Sequence, residues 1–211
     1  MAELFGVKSA RLYAIGIGLT FAILLALAPR ASTTWLVDQL LLQALTSASW
    51  IVAGLAALAS ARNLEQKDRE EGVESLVEQR GHTAKALELS RVLAAAVLIA
   101  ARVGLPLLFL IAVGWMRLGD WSLAGWFFGW SGFVVIYAAA LGLVLGVLAR
   151  VAARISPERG RVVLVLLIAL PELGRVLFPN VPSVPSAFGW ALERVRGNPA
   201  LAHGSAAGAE A

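Results

Sequence analysis

Residues able to do covalent or redox chemistry are scarce in this sequence. It contains no cysteine and two histidines, His82 and His203, which excludes disulfides, thiolate catalysis and cysteine-based metal sites and leaves too few ligands for haem or zinc. No G-x-x-x-x-G-K-[ST] loop is present, so this chain does not itself hydrolyse ATP. We predict no enzyme, no catalytic residue, no metal site and no cofactor. An intramembrane enzyme built on Asp38, Glu172 and the few hydroxyl groups is the disfavoured alternative.

Four charged residues interrupt apolar stretches and are the candidate intramembrane polar residues: Arg102, Asp38, Glu172 and Arg175. Arg102 stands in the middle of an apolar run, where a charge facing lipid costs between about 2.5 and more than 10 kcal/mol. Its side chain should therefore face protein or water. It either lines a path for an anionic or amphipathic substrate, pairs with Asp38 or Glu172, or fixes helix packing through bonds to carbonyls.

The other three polar residues lie near ends of apolar runs. Asp38 opens the second run, where a helix N-terminus stabilises a carboxylate, so a cap-like role is favoured. Pro171 and Glu172 are predicted to break the last run near its outer end, as a plain helix end would. Glu172 and Arg175 stand three residues apart and could pair.

The elements that carry these residues are predicted from the hydropathy pattern. The chain has 211 residues, of which 59% are hydrophobic and 15% charged, with mean hydropathy +0.76. Soluble domains have about 45–50% apolar residues and about 25% charged residues. We predict an all-α, polytopic transmembrane helical bundle, in which five spans form a domain over residues 1–178. The spans are at about 12–28, 35–61, 91–115, 121–149 and 161–178. The first is predicted to be a retained span rather than a cleaved signal peptide.

Two polar segments complete the predicted organisation. Residues 62–90 should form a short surface helix, a break around Gly81, and a new helix that Thr83 caps and that runs on into the third span. Residues 179–211 contain four prolines, so we predict an outer segment with a short interfacial helix near 186–195 and a disordered tail, and no full sixth span.

The distribution of basic residues predicts the orientation. Twelve Lys and Arg residues fall in one set of loops, including residues 62–90 and 150–161, and five fall in the opposite loops and the tail. The positive-inside rule therefore places the N-terminus and residues 62–90 in the cytoplasm. Because the basic residues are dispersed between spans, nucleic acid is not an expected partner, whereas the lipid bilayer is. A composition rich in Ala, Gly and Arg with three Lys favours a bacterial cytoplasmic membrane.

Aromatic and small residues also follow patterns. Five tryptophans fall on the predicted outer side, which favours an aromatic belt at the membrane interface; a platform for lipid or sugar is the alternative. They are Trp35, Trp115, Trp121, Trp126 and Trp130. In the fourth span, small residues recur at spacings that permit close helix approach, within the chain or with a second copy.

The acidic segment after the second span resembles the cytoplasmic stretch of ATP-binding-cassette (ABC) exporter permeases of the type-2 class, which carry [DE]-R-x-x-G-x-x-E-x-L there. Here it reads Asp68-Arg69-Glu70-Glu71-Gly72-Val73-Glu74-Ser75-Leu76. Val73 precedes Glu74 directly, where the family has Thr-Leu-Glu, and the family has six spans. The resemblance implies a coupling segment that binds a partner ATPase through Arg69, Glu70, Glu71, Gly72, Glu74, Leu76, Glu78, Arg80 and Gly81.

The family has short re-entrant helices on the outer side between its last two spans, so the resemblance implies a re-entrant element at Pro171 and Glu172 as the alternative to a plain helix end. It implies a function as well. The chain would be the membrane-spanning permease subunit of an ABC transporter, working with a cytoplasmic ABC ATPase and with a second permease copy or paralogue. ATP hydrolysis on the partner would move a substrate, and the apolar spans favour a lipid-like or hydrophobic one. The alternative is a non-transporting structural or accessory subunit of a larger bacterial membrane complex.

Overall fold

The computed structural model describes residues 15–16, 19, 33–60, 79, 83–118, 124–156, 159–177 and 183–196. Helices form all the regular structure of these residues. In chain order they are α1 (Thr33–Gln43), a π-helical turn (Ala44–Ala48), α2 (Ser49–Ser60), α3 (Ala84–Leu118), α4 (Ala124–Ile155), α5 (Gly160–Leu177) and α6 (Val184–Arg196). The predicted all-α class is confirmed for the described part of the chain.

Three helical segments within the described residues are long and apolar enough to cross a membrane: Asp38–Ser60, Lys85–Met116 and Ala124–Ile155. They correspond to the second, third and fourth predicted spans. The first predicted span lies almost wholly outside the described residues. The fifth corresponds to α5, whose 18 residues include Arg161, Glu172 and Arg175 and which is not among the three. The count of five spans therefore stays a prediction.

The outer surface of the bundle is apolar in the way that a lipid-facing surface must be. Large side chains on α3 and α4 are widely exposed, among them Val97 (67%), Leu105 (65%) and Ile136 (70%). Water-soluble monomers rarely expose contiguous apolar patches of this extent. Together with the three apolar helices, this surface indicates a membrane protein.

The predicted start of the third long helix is confirmed. Thr83 Oγ1 accepts a hydrogen bond from the Ala86 amide at 3.3 Å, and the Thr83 carbonyl accepts from the amides of Ala86 and Leu87. From this cap α3 runs for 35 residues through Pro106 without interruption, which corresponds to about 52 Å at 1.5 Å per residue. The helix is longer than the hydrocarbon core of about 30 Å.

Helices α3 and α4 pack closely from the middle of α4 toward its end. A Cβ atom added to Gly142 would clash with the Ala96 carbonyl oxygen and lie 3.0 Å from the Ala100 amide nitrogen. One added to Gly146 would lie 3.1 Å from the Ala96 amide nitrogen. The predicted close approach is therefore found at these glycines. Gly125 and Gly132 instead face open space, so they do not serve the α3–α4 contact.

The predicted break at Pro171 is wrong, because α5 continues through Pro171 to Leu177. A proline inside a helix removes one hydrogen bond, to the carbonyl four residues earlier. Ending the helix there would free several backbone groups at once, which is more costly inside a membrane protein. The predicted short helix after residue 178 is confirmed as α6, which has 13 residues.

Candidate functional site

The residues of the predicted coupling segment lie outside the described part of the structure. They are Arg69, Glu70, Glu71, Gly72, Glu74, Leu76, Glu78, Arg80 and Gly81. What the structure does describe is the helix that follows them, α3, and the contacts of its first two turns. Those contacts form the most strongly charged site among the described residues.

Glu88 on the second turn of α3 is bonded by three arginines, Arg91, Arg150 and Arg154, and these four residues are named the Glu88 cluster. Arg150 binds the carboxylate in a fork: its Nε donates to Oε2 at 2.7 Å, and its second terminal nitrogen donates to Oε1. Arg91, one turn along α3, donates to Oε1 at 3.1 Å. Arg154 lies 3.2 Å from Oε2.

The cluster joins the start of α3 to the end of α4. The Arg91 and Arg150 side chains are 12% and 11% exposed, Glu88 is 22% exposed, and Arg154 is open to solvent at 60%. A bidentate arginine–carboxylate pair that is shielded from solvent is strong, and its two parallel hydrogen bonds fix the orientation of both side chains. It therefore fixes these two helix ends against each other. We name this end of the bundle the basic end.

Sequence reasoning missed Glu88, because its main partner is 62 residues away along the chain. A local signal did exist: Glu88 precedes Arg91 by three residues, and Arg150 precedes Arg154 by four, so each pair shares one helix face. The spacing alone does not show that the Glu88 face of α3 meets the Arg150 and Arg154 face of α4, because that depends on how the two helices pack.

At the opposite end, named the tryptophan end, Asp38 accepts a hydrogen bond from Trp126 Nε1 on α4 at 2.8 Å. The predicted cap-like role is wrong, because α1 begins at Thr33 and has no acidic residue in its first turn. The aromatic-belt interpretation is wrong for Trp126 and Trp130, which are 4% and 3% exposed and pack inside the bundle. The hydrogen bond to Asp38 explains why the Trp126 indole faces inward.

The other predicted intramembrane residues are dispersed. Arg102 on α3 is 9% exposed. Glu172 on α5 accepts a hydrogen bond from the Ser183 hydroxyl, just before α6 begins. Arg175 belongs to α5, but its side chain lies outside the described atoms, so pairing with Glu172 stays a prediction. The Glu172–Ser183 bond ties the end of α5 to the start of α6.

A further polar contact surrounds the π-helical turn between α1 and α2. Tyr137 of α4 donates its hydroxyl hydrogen to the Leu45 carbonyl at 2.9 Å, and Ser49 donates to the same oxygen. A π-helical turn has i→i+5 backbone bonding in place of the i→i+4 bonding of an α-helix, and two side-chain hydroxyls add hydrogen bonds to a carbonyl within this turn. Phe188 of α6 packs edge-on against both Trp50 and Tyr137. Helix α6 is thereby held against the bundle; hydropathy alone gives no signal for such a contact.

No protein-family model, no curated protein and no solved structure matches this chain.

Proposed function

We propose that the chain is the membrane-spanning permease subunit of an ABC transporter. It couples a separate cytoplasmic ATPase to the movement of a lipid-like or hydrophobic substrate across a bacterial cytoplasmic membrane, with its N-terminus in the cytoplasm. The proposal draws on two observations. Three helices of the described residues are long and apolar enough to cross a membrane, and the sequence of residues 68–91 resembles the family.

The observation that supports the proposal best is the Glu88 cluster. Glu88 lies near the end of the polar segment 62–90, Arg150 and Arg154 lie in the basic segment 150–161, and both segments fall on the predicted cytoplasmic side. The ion pairs hold the start of α3 to the end of α4. An ATPase can drive a membrane path only through contacts that differ between its nucleotide states. Two long helices that are joined at one end are suited to transmit such contacts into the membrane.

A second subunit has surface available on α4. Gly125 and Gly132 are open, and small residues on an exposed helix face allow close approach of another helix in a membrane. In the proposed transporter, this face packs against a second copy or a paralogue, and the substrate path forms between the two subunits.

Charge reversal tests the coupling role. ATP hydrolysis by the detergent-purified complex should fall to background for Glu71→Lys and Glu74→Lys, because basic patches on the ATPase would then meet like charges. Glu193→Lys is the matched control: it reverses an exposed carboxylate on α6, outside the coupling segment, and should leave hydrolysis unchanged. Equal activity in all three variants would contradict the proposal.

The accessory-subunit alternative is favoured by one structural feature. Helix α6 has 13 residues, about 20 Å, too short to cross a hydrocarbon core of about 30 Å, so it does not supply the family's sixth span. If the purified complex contains other membrane proteins and hydrolyses no ATP, this alternative leads.

A further inference from the structure

Helix α6 is held against the middle of the bundle, about halfway between its two ends. Phe188 packs edge-on against Trp50 and Tyr137, with ring centroids 5.6 and 5.2 Å apart. Along α4, Tyr137 lies about 16 Å from Trp126 at the tryptophan end and about 20 Å from Arg150 at the basic end, at 1.5 Å per residue. Since the hydrocarbon core is about 30 Å thick, Phe188 lies near its middle.

The outward face of α6 is polar at this depth. Leu192 faces inward and is 4% exposed. Trp190, Glu193 and Arg194 face outward and are exposed. Arg194 follows Phe188 by less than two turns, about 9 Å of helix. At any tilt of α6, its backbone therefore lies within the hydrocarbon core, which extends about 15 Å to either side of the middle.

The Arg194 side chain does not extend toward a membrane boundary. Its guanidinium carbon lies 5.0 Å from the centroid of the Trp190 ring, one turn back along α6. A long basic side chain that avoids lipid does so by reaching to headgroup level, whereas this one is folded along its own helix. If lipid covered this face, Glu193 and Arg194 would meet hydrocarbon, which is costly for both charges.

Water fits the outward face of α6 better than a second protein does. Glu193 and Arg194 carry opposite charges, and water solvates both. A protein surface would have to supply a matched group for each charge, because burying an ion without a partner is costly. The Glu172–Ser183 hydrogen bond holds the start of α6 beside α5, so the helix is kept at this depth.

We propose that the outward face of α6 lines a water-filled cleft that reaches the middle of the membrane. Trp190, Glu193 and Arg194 form one wall of this cleft, which admits small water-soluble molecules to the level of Tyr137. The cleft is separate from the coupling segment, and the proposal does not depend on an ATPase partner.

Single cysteines test the proposal, because the sequence contains none. Each variant is placed in lipid nanodiscs, which expose both membrane faces, and its rate of reaction with a charged, membrane-impermeant maleimide is measured. Ala187 is exposed on α6, and Lys85 is exposed at the start of α3. We expect Ala187→Cys to react within about tenfold of Lys85→Cys, because water allows the thiolate to form in both.

A lipid-facing cysteine at the same depth is the matched control. Ile136 is 70% exposed and precedes Tyr137 on α4. Ile136→Cys should react at least about 100-fold more slowly than Ala187→Cys, because apolar surroundings keep a thiol neutral. A fast reaction of Ile136→Cys would overturn the proposal, since the level of Tyr137 would then not lie in lipid.

A buried cysteine checks that α6 stays docked. Leu192→Cys should react as slowly as Ile136→Cys, because Leu192 is buried in the core. Equal rates for Leu192→Cys and Ala187→Cys would show that α6 leaves the bundle and would overturn the proposal. A slow reaction of Ala187→Cys would overturn it as well. If oxidation of that variant then links two chains by a disulfide, a second copy covers this face instead of water.

Discussion

The two ends of the α3–α4 pair are packed differently: glycines and ion pairs join the helices toward one end, and aromatic rings fill the space at the other. In the half toward the basic end, Gly142 and Gly146 allow the α4 backbone to approach the α3 backbone at Ala96 and Ala100, and the Glu88 cluster joins the two helices at the end itself. At the tryptophan end, bulky rings fill the space: Trp115 stacks on Phe127 with ring centroids 4.6 Å apart, and Trp126 and Trp130 are buried.

This difference shows where the pair can move. Backbones in close contact at glycines resist sliding and rotation of one helix against the other. The bidentate ion pair also fixes the relative orientation of the two helices. Aromatic packing next to a single neutral donor, Trp126 to Asp38, can exchange one ring arrangement for another at lower cost. In the proposed transporter we therefore expect the basic end to move as one body with the ATPase, and the tryptophan end to open and close.

The largest expected effect comes from separating the helices at the basic end. Gly142→Leu places a side chain where even a Cβ clashes with the Ala96 carbonyl, so we expect a loss of about 3 kcal/mol or more in unfolding free energy, or no folded protein. Thermal unfolding in detergent measures this. Gly132→Leu is the control, since its Cβ faces open space. Similar losses in both variants would show that α3 and α4 are not in backbone contact.

Removing the carboxylate of the Glu88 cluster comes next. Glu88→Ala leaves three arginines without their shared partner, and we expect a loss of about 2–3 kcal/mol in stability. Arg154→Ala should cost about 1 kcal/mol or less, because that side chain is 60% exposed and solvent screens the pair. Comparing the unfolding temperatures of the two variants checks the order, and the reverse order would place the anchor on Arg154 instead.

The tryptophan end should respond less. Asp38→Leu leaves the Trp126 indole N–H without its acceptor, for an expected loss of about 1–2 kcal/mol. Asp38→Asn keeps a carbonyl oxygen as acceptor and should cost well below 1 kcal/mol. Unfolding curves of both variants, with tryptophan fluorescence to follow the indole environment, check this. If Asp38→Asn proves as harmful as Asp38→Leu, the negative charge matters rather than the hydrogen bond.

The smallest effect is expected midway along α4. Tyr137→Phe removes one hydrogen bond to the Leu45 carbonyl, while Ser49 still donates to that oxygen, so we expect a loss of about 0.5–1.5 kcal/mol. Combining it with Ser49→Ala should cost more than the sum of the single changes, because the carbonyl then loses both donors. A strictly additive result would show that the two hydroxyls do not share Leu45.

Much of the architecture could be predicted because it depends on local patterns. Long apolar runs predict the three spans, and Thr83, as a helix-capping residue after Gly81, predicts the start of α3. Contacts between distant residues could not be predicted this way. Glu88 meets Arg150, and Asp38 meets Trp126, only because α4 packs beside α3 and α1, and hydropathy specifies that a helix is buried without specifying its rotation.

The errors have the same origin. The start of the apolar run near Asp38 predicts a helix start there, whereas α1 starts five residues earlier, at Thr33. The disfavour of proline for helix interiors predicts a break at Pro171, whereas α5 continues to Leu177. In both cases a local rule was outweighed by the need of an apolar bundle to keep its backbone paired. The coupling residues at 69–81 stay a sequence prediction.

The most direct test is to identify what the chain binds. Tagged protein is purified from its own host in mild detergent, and the co-purifying proteins are identified by mass spectrometry, alongside the Glu71→Lys/Glu74→Lys double variant. We predict a stoichiometric soluble ABC ATPase with the wild-type chain and its loss from the double variant. A complex of other membrane proteins that contains no ATPase would contradict the account and favour the accessory subunit.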